Sequence, residues 1–182
     1  PYAATKLISA LKNEISVPIH LHTHDTTGNG VATIINACES GVDIVDTCFN
    51  SMSSLTSQPA LNSVVAALEN TPRQTGISLS NCDKISNYYK DVRSYYSQFE
   101  SDLKSGTTEI YRYEIPGGQY SNLKPQVESF GLEEKFDEVK LMYKKVNDML
   151  GDIIKVTPSS KMVGDMAIFM LSLIHISEPT RR

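Results

Sequence analysis

With 182 residues, 40% of them hydrophobic, the chain has enough apolar content for a packed core, which excludes a wholly disordered segment. Seventeen lysines and arginines against 21 aspartates and glutamates give a formal net charge of −4, without the basic footprint of a nucleic-acid binder. No apolar run approaches the roughly 20 residues that span a bilayer, and three cysteines without a CxxC fit a reducing, cytoplasmic compartment rather than a disulfide framework.

The chain opens on Pro1 in mid-pattern. Residues 5–12 (TKLISALK) put Leu7, Ile8 and Leu11 on one side of an amphipathic helix. Residues 17–24 read as a short strand, 25–30 (DTTGNG) as a turn, and 31–39 as a helix that Gly41 breaks. Residues 42–49 (VDIVDTCF) form a second strand rich in β-branched side chains. A polar loop over 50–57 precedes a helix over 59–69 with apolar Leu61, Val64, Val65 and Leu68. Strand, helix, strand, helix at this spacing predicts βα units and a parallel sheet. In an α/β barrel, the loops after the strands hold the chemistry.

The pattern changes near residue 80. Ile85, Tyr88, Tyr89, Val92, Tyr95, Tyr96, Phe99 and Leu103 have the spacing of a buried helix face over 84–103, with Asn81 or Asp83 available as a cap. Residues 105–119, containing Pro116-Gly117-Gly118, read as a loop, and 136–150 as an amphipathic helix stopped by Gly151. Thr157 at N-cap and Pro158 at N1 open a last helix, with Met162, Val163, Met166 and Phe169 on its buried side. Residues 171–182 (LSLIHISEPTRR) resemble, over the first eleven, translated transposase-adapter DNA, so they and His175 are set aside from fold reasoning. Both ends are expected to be those of a piece of a longer protein.

Chemistry concentrates in the first strand. His20, His22 and His24 alternate with Ile19, Leu21 and Thr23, so the three imidazoles point one way, about 7 Å apart at successive positions. Two such imidazoles can converge on one divalent ion through nitrogens at roughly 2.0–2.1 Å. Two ligands do not close a site, so at least one more must come from elsewhere. Asp43 and Asp46 on the second strand can either orient such ligands or face solvent. Cys38 and Cys48 read as small apolar fillers. Neither Gly28-Asn29-Gly30 nor Gly117-Gly118 fits a phosphate loop.

The strings PIHLHTHDTTGNG (18–30), DTCFNSMSSLTSQP (46–59), EIPGGQYSNL (114–123) and GDIIKVTPSSKMVGDMA (151–167) resemble the carboxyltransferase-domain family of the pyruvate carboxylases, itself similar to the HMG-CoA-lyase-like metal-dependent TIM barrels. The resemblance runs from Pro1 to Met170. It implies an α/β fold class: the C-terminal part of a (β/α)8 TIM barrel over 1–80, followed by a mainly helical extension over 81–170. It implies that His22 and His24 bind a divalent metal, zinc or manganese, while His20 lies deeper. The family's remaining metal ligands, an aspartate and a carboxylated lysine, and its pyruvate-holding arginine and glutamine would precede Pro1. By the same resemblance Thr157 carries a proton between pyruvate and biotin, and Ser160 and Lys161 lie near the biotin pocket. The implied activity is that of a ligase, moving carbon dioxide from carboxybiotin to pyruvate to give oxaloacetate. Biotin would sit on a carrier domain elsewhere, ATP would be used at another domain, and the parent would be a homo-oligomer, a tetramer. Gly117-Gly118-Gln119-Tyr120 and Lys161 favour pyruvate carboxylase over its cousins, the oxaloacetate decarboxylase alpha chain and the transcarboxylase core subunit. Two further alternatives are an inactive truncated piece and a simple metal-binding module.

Overall fold

The computed structural model describes residues 1–177, with side chains through residue 173. The chain forms two compact units, Pro1–Thr107 and Thr108–Arg182.

In the first unit the order is α1 (Tyr2–Glu14), β1 (His20–Leu21), α2 (Gly30–Glu39), β2 (Ile44–Val45), α3 (Leu61–Leu68) and α4 (Leu79–Tyr95). The two strands pair in parallel, His20 with Ile44 and Leu21 with Val45. The expected strands over 17–24 and 42–49 are thus reduced to two residues each. The Ile19 and Leu21 carbonyls take the Ile44 and Asp46 amides at 3.1 and 3.0 Å, and the ladder ends there. Helix α2 turns Ile34, Ala37 and Cys38 inward, which is the i, i+3, i+4 pattern of one helix face. They pack with Ala4 and Ile8 of α1, Ile19, Val42, and Val64 and Leu68 of α3. Each fully buried aliphatic side chain of this kind contributes roughly 1.5–3 kcal/mol.

Helix α4 departs from expectation. Its cap is Ser78, whose hydroxyl accepts the Asn81 amide, while Asp83 instead accepts the Asn62 side-chain amide at 2.7 Å and ties α4 to α3. The helix stops at Tyr95. Only Cys82 and Ser86 of it are buried, and Ile85, Tyr88, Tyr95, Tyr96 and Phe99 are exposed. The aromatic spacing is helical, but the face that packs is the narrow one holding the small residues.

The regular elements of the second unit, among the described residues, are all helices: α5 (Ile110–Tyr113), α6 (Gly117–Ser129), α7 (Phe136–Met149) and α8 (Ser159–Ser177). Helix α6 was not expected. Two glycines at its start and Pro125 within it mask the pattern, yet Leu123 and Val127 are fully buried. They pack against Val139, Tyr143 and Val146 of α7 and Val163, Ala167, Ile168 and Leu171 of α8. The buried face of α8 is therefore not the one expected: Val163 is buried, but Met162, Met166 and Phe169 are exposed. A Cβ on Gly164 would stand 2.7 Å from the Gln119 side-chain nitrogen and 3.2 Å from Leu123 Cδ1, so α8 runs close against the side chains of α6 there. Leu171, the first residue of the presumed adapter stretch, is buried in this core. Residues 178–182 and the side chain of His175 lie outside the described residues. No described helix is long and apolar enough to cross a membrane.

Candidate functional site

The chain leaves β1 through His22, Thr23 and His24 and enters the DTTGNG turn. Asp25, buried in that turn, accepts the Gly30 amide at 2.7 Å at the start of α2. Gly30 has no room for a side chain, because a Cβ there would fall 2.6 Å from Pro59 Cγ and 2.7 Å from Asp25 Oδ1. The Asp25 amide donates to the Ser57 carbonyl at 2.8 Å, so the histidine strand and loop 50–58 are held together. That loop turns through two successive residues with positive φ, Ser54 at 72° and Leu55 at 54°. Non-glycine residues rarely adopt this conformation.

Alternation puts the imidazoles on one side, as the spacing predicts. The carboxylate of Asp46 receives both His20 Nε2, at 2.6 Å on Oδ1, and His22 Nδ1, at 2.7 Å on Oδ2. The hydrogen bond from His20, and next that from His22, holds the Asp46 carboxyl below its usual range, so it stays an ionised acceptor. His24 Nδ1 lies 2.6 Å from the Thr56 carbonyl oxygen. A carbonyl only accepts, so His24 carries its proton on Nδ1. His22 does the same against the acceptor-only carboxylate. In the neutral ring this leaves Nε2 of each as the acceptor, and the ring centroids lie 5.2 Å apart. A second partner that fixes the tautomer of a ligating histidine is the usual companion of a metal site. His20 is bound through Nε2 instead, and it does not lie deeper as expected: its side chain is as exposed as that of His22, 52% against 54%. Among the described residues no three His, Cys, Asp or Glu side chains converge on an ion. The donor chemistry of His22 and His24 fits a divalent ion that takes its further ligands from elsewhere.

The two aspartates of the second strand part company. Asp43 accepts Lys12 Nζ at 2.5 Å and the Ile19 amide at 2.7 Å, tying α1 to the start of β1. Its carboxyl is lowered chiefly by Lys12. Cys38 and Cys82 are buried free thiols and Cys48 is a half-buried one. Burial pushes the Cys38 thiol up, away from the reactive thiolate.

In the second unit Thr157 is exposed and precedes α8 by two residues, so it is not the residue that caps the helix. The turn is built instead around Ser159. Its Oγ lies 2.5 Å from both the Ile154 and the Val156 carbonyl oxygens and accepts the Val156 amide at 3.2 Å. Ser160 is buried, and its carbonyl accepts Tyr143 Oη at 3.3 Å. Burial and, secondarily, the Glu114 charge push the Tyr143 hydroxyl up to about 12. Lys161 is exposed and pairs with Asp165 at 2.6 Å. Ser160 points to the core and Lys161 to solvent, so the neighbours differ in environment. The Thr56 carbonyl escaped the sequence reading because every residue carries one and no residue type marks the one that matters.

Residues 1–88 match the HMGL-like family and residues 110–179 the family described as the conserved carboxylase domain. Together the two matches describe a TIM-barrel-related α/β fragment followed by a helical part. Pyruvate carboxylase of Staphylococcus aureus is 57% identical over 171 residues, covering 94% of this chain and 15% of that protein. The human mitochondrial pyruvate carboxylase is 46% identical, with the same coverage. The carboxyl transferase domain of Rhizobium etli pyruvate carboxylase, solved with pyruvate and biocytin, superposes with a TM-score of 0.92 at 48% identity, over 96% of this chain and 29% of that one. The chain belongs to the pyruvate carboxylase family. It spans about 15% of the length of the curated relatives it matches.

Proposed function

We propose that this chain supplies part of the carboxyl transferase centre of a biotin-dependent pyruvate carboxylase, which moves a carboxyl group from biotin to pyruvate to give oxaloacetate. In this reading residues 1–80 are the C-terminal βα units of a (β/α)8 barrel and residues 81–170 the helical extension. His22 and His24 hold a divalent metal, zinc or manganese, through Nε2. The metal, when bound, supplies a Lewis acid for the keto oxygen of pyruvate, where negative charge develops as the methyl group loses its proton. Carrier-borne biotin supplies the carboxyl group.

The Thr157 hydroxyl moves the proton. A hydroxyl accepts and donates at once: when the N–C bond of carboxybiotin breaks and releases carbon dioxide, Oγ1 takes a proton from the methyl carbon while its own passes to the biotin nitrogen that the carboxyl has left. No free alkoxide is needed, and the enolate carbon then bonds to the carbon dioxide. Its exposure leaves it open to both reactants. Ser160 and Lys161 border the biotin pocket; with Ser160 buried, its part is to fix the helix start, and Lys161 offers the charge. A cytoplasmic setting accords with three free thiols; in this reading ATP is consumed at another domain of the parent enzyme.

One observation carries the reading: two histidines two positions apart, each with Nδ1 committed to an acceptor and Nε2 left for a metal. The test is metal content and oxaloacetate formation in the full-length enzyme carrying this segment. His22→Ala and His24→Ala should each lose bound metal and activity together. A double variant that retains both overturns the assignment.

A further inference from the structure

Loop 151–158, which carries Thr157, is tied to one carboxylate. Glu114 ends α5 in a left-handed conformation, φ 61°, that non-glycine residues rarely adopt. Its Oε1 accepts Lys144 Nζ at 2.9 Å, and its Oε2 accepts the Asn147 side-chain amide at 2.9 Å and Lys155 Nζ at 3.2 Å. Asn147 is fully buried and also donates to Asp152 Oδ1 at 2.8 Å, while its carbonyl takes the Asp152 amide. The lysine two residues before Thr157 is largely buried against the same group. On the other side of the threonine, Ser159 closes its turn on Ile154 and Val156. The loop has few positions of its own to settle into: Gly151 and Asp152 both hold positive φ, 81° and 54°.

We propose that Glu114 is a positioning residue for Thr157: acting through Lys155 and Asn147, it fixes where the threonine hydroxyl stands. The inference rests on the proton-carrying role given to Thr157 above. Misplacing a reacting group by about an ångström is enough to slow a reaction severely without weakening substrate binding. Lys155 Nζ also lies 3.2 Å from Asp152 Oδ1, but Asp152 belongs to the same loop, so neutralising Glu114 removes the lysine's ion pair to α5 and leaves the loop paired only to itself.

The test is a double-variant cycle in the full-length enzyme. Glu114→Gln should lower oxaloacetate formation at saturating pyruvate roughly tenfold with KM for pyruvate unchanged. Lys155→Met should do the same, and it carries the test if Glu114→Gln fails to fold. In a Thr157→Ala background, the residual rate should be indifferent to either change. An equal fall in both backgrounds, an unchanged rate, or a rise in KM alone overturns the proposal. If Thr157→Ala itself leaves the rate intact, the carboxyl-transfer role of the threonine falls first, a result distinct from the others.

Discussion

Asp46 Oδ2 lies 2.7 Å from His22 Nδ1, and that single contact fixes which nitrogen of the ring faces the proposed metal. Asp46→Ala frees the ring to turn and to carry its proton on either nitrogen. Zinc binding by the full-length enzyme, measured by chelator competition, should weaken roughly 10- to 100-fold. Unchanged affinity would mean that the carboxylate serves only His20.

The turn between β1 and α2 has no spare volume. Gly30→Ala places a methyl group 2.6 Å from Pro59 Cγ and 2.7 Å from Asp25 Oδ1, and one of the two contacts must give way. Chemical unfolding should report a loss of about 1–3 kcal/mol, as overpacking of a tight site usually does.

Helix α6 gives a contrast within one unit. Leu123 is completely buried, whereas Met166 on α8 is 46% exposed. Leu123→Ala should cost about 2–5 kcal/mol of stability. Met166→Ala should stay near the ±0.5 kcal/mol typical of surface changes. Equal losses from the two substitutions would contradict the packing described for α8.

The pH dependence has a definite sign at both ends. Lys144, and next Lys155, lower the Glu114 carboxyl below the ordinary glutamate value of 4.5. Its contribution to stability is therefore present above that value and is lost as the pH falls below it, because the unfolded chain binds the proton first. Glu114→Gln should flatten the acid limb of an unfolding profile. Tyr143 behaves oppositely. With its hydroxyl pushed up to about 12, from an ordinary 10.0, the folded state resists ionisation that the unfolded state accepts. Stability should fall as the pH rises through that interval, and Tyr143→Phe should remove this part of the alkaline limb.

Local periodicity sufficed for a good share of the molecule. Helices α2, α3 and α7 bury residues at the i, i+3 and i+4 positions visible in the string, while α1 buries Ile8 with Ala4 and leaves Leu7, expected on the same side, exposed. The alternation of His20, His22 and His24 needs only the two-residue repeat of an extended chain. The four strings 18–30, 46–59, 114–123 and 151–167 pointed to the family now matched. Long-range contacts decided the rest. The partners that set the histidine tautomers, Asp46 and the Thr56 carbonyl, come from 24 and 32 residues away, and Glu114 reaches Lys155 across 41. Helix α6, with its glycines and internal proline, exists because Leu123 and Val127 find a core rather than because their neighbours favour a helix. The tyrosines of α4 kept their spacing but lost the core expected for them. A one-dimensional pattern states which side chains share a face; what that face meets depends on surfaces brought together only when the chain is folded.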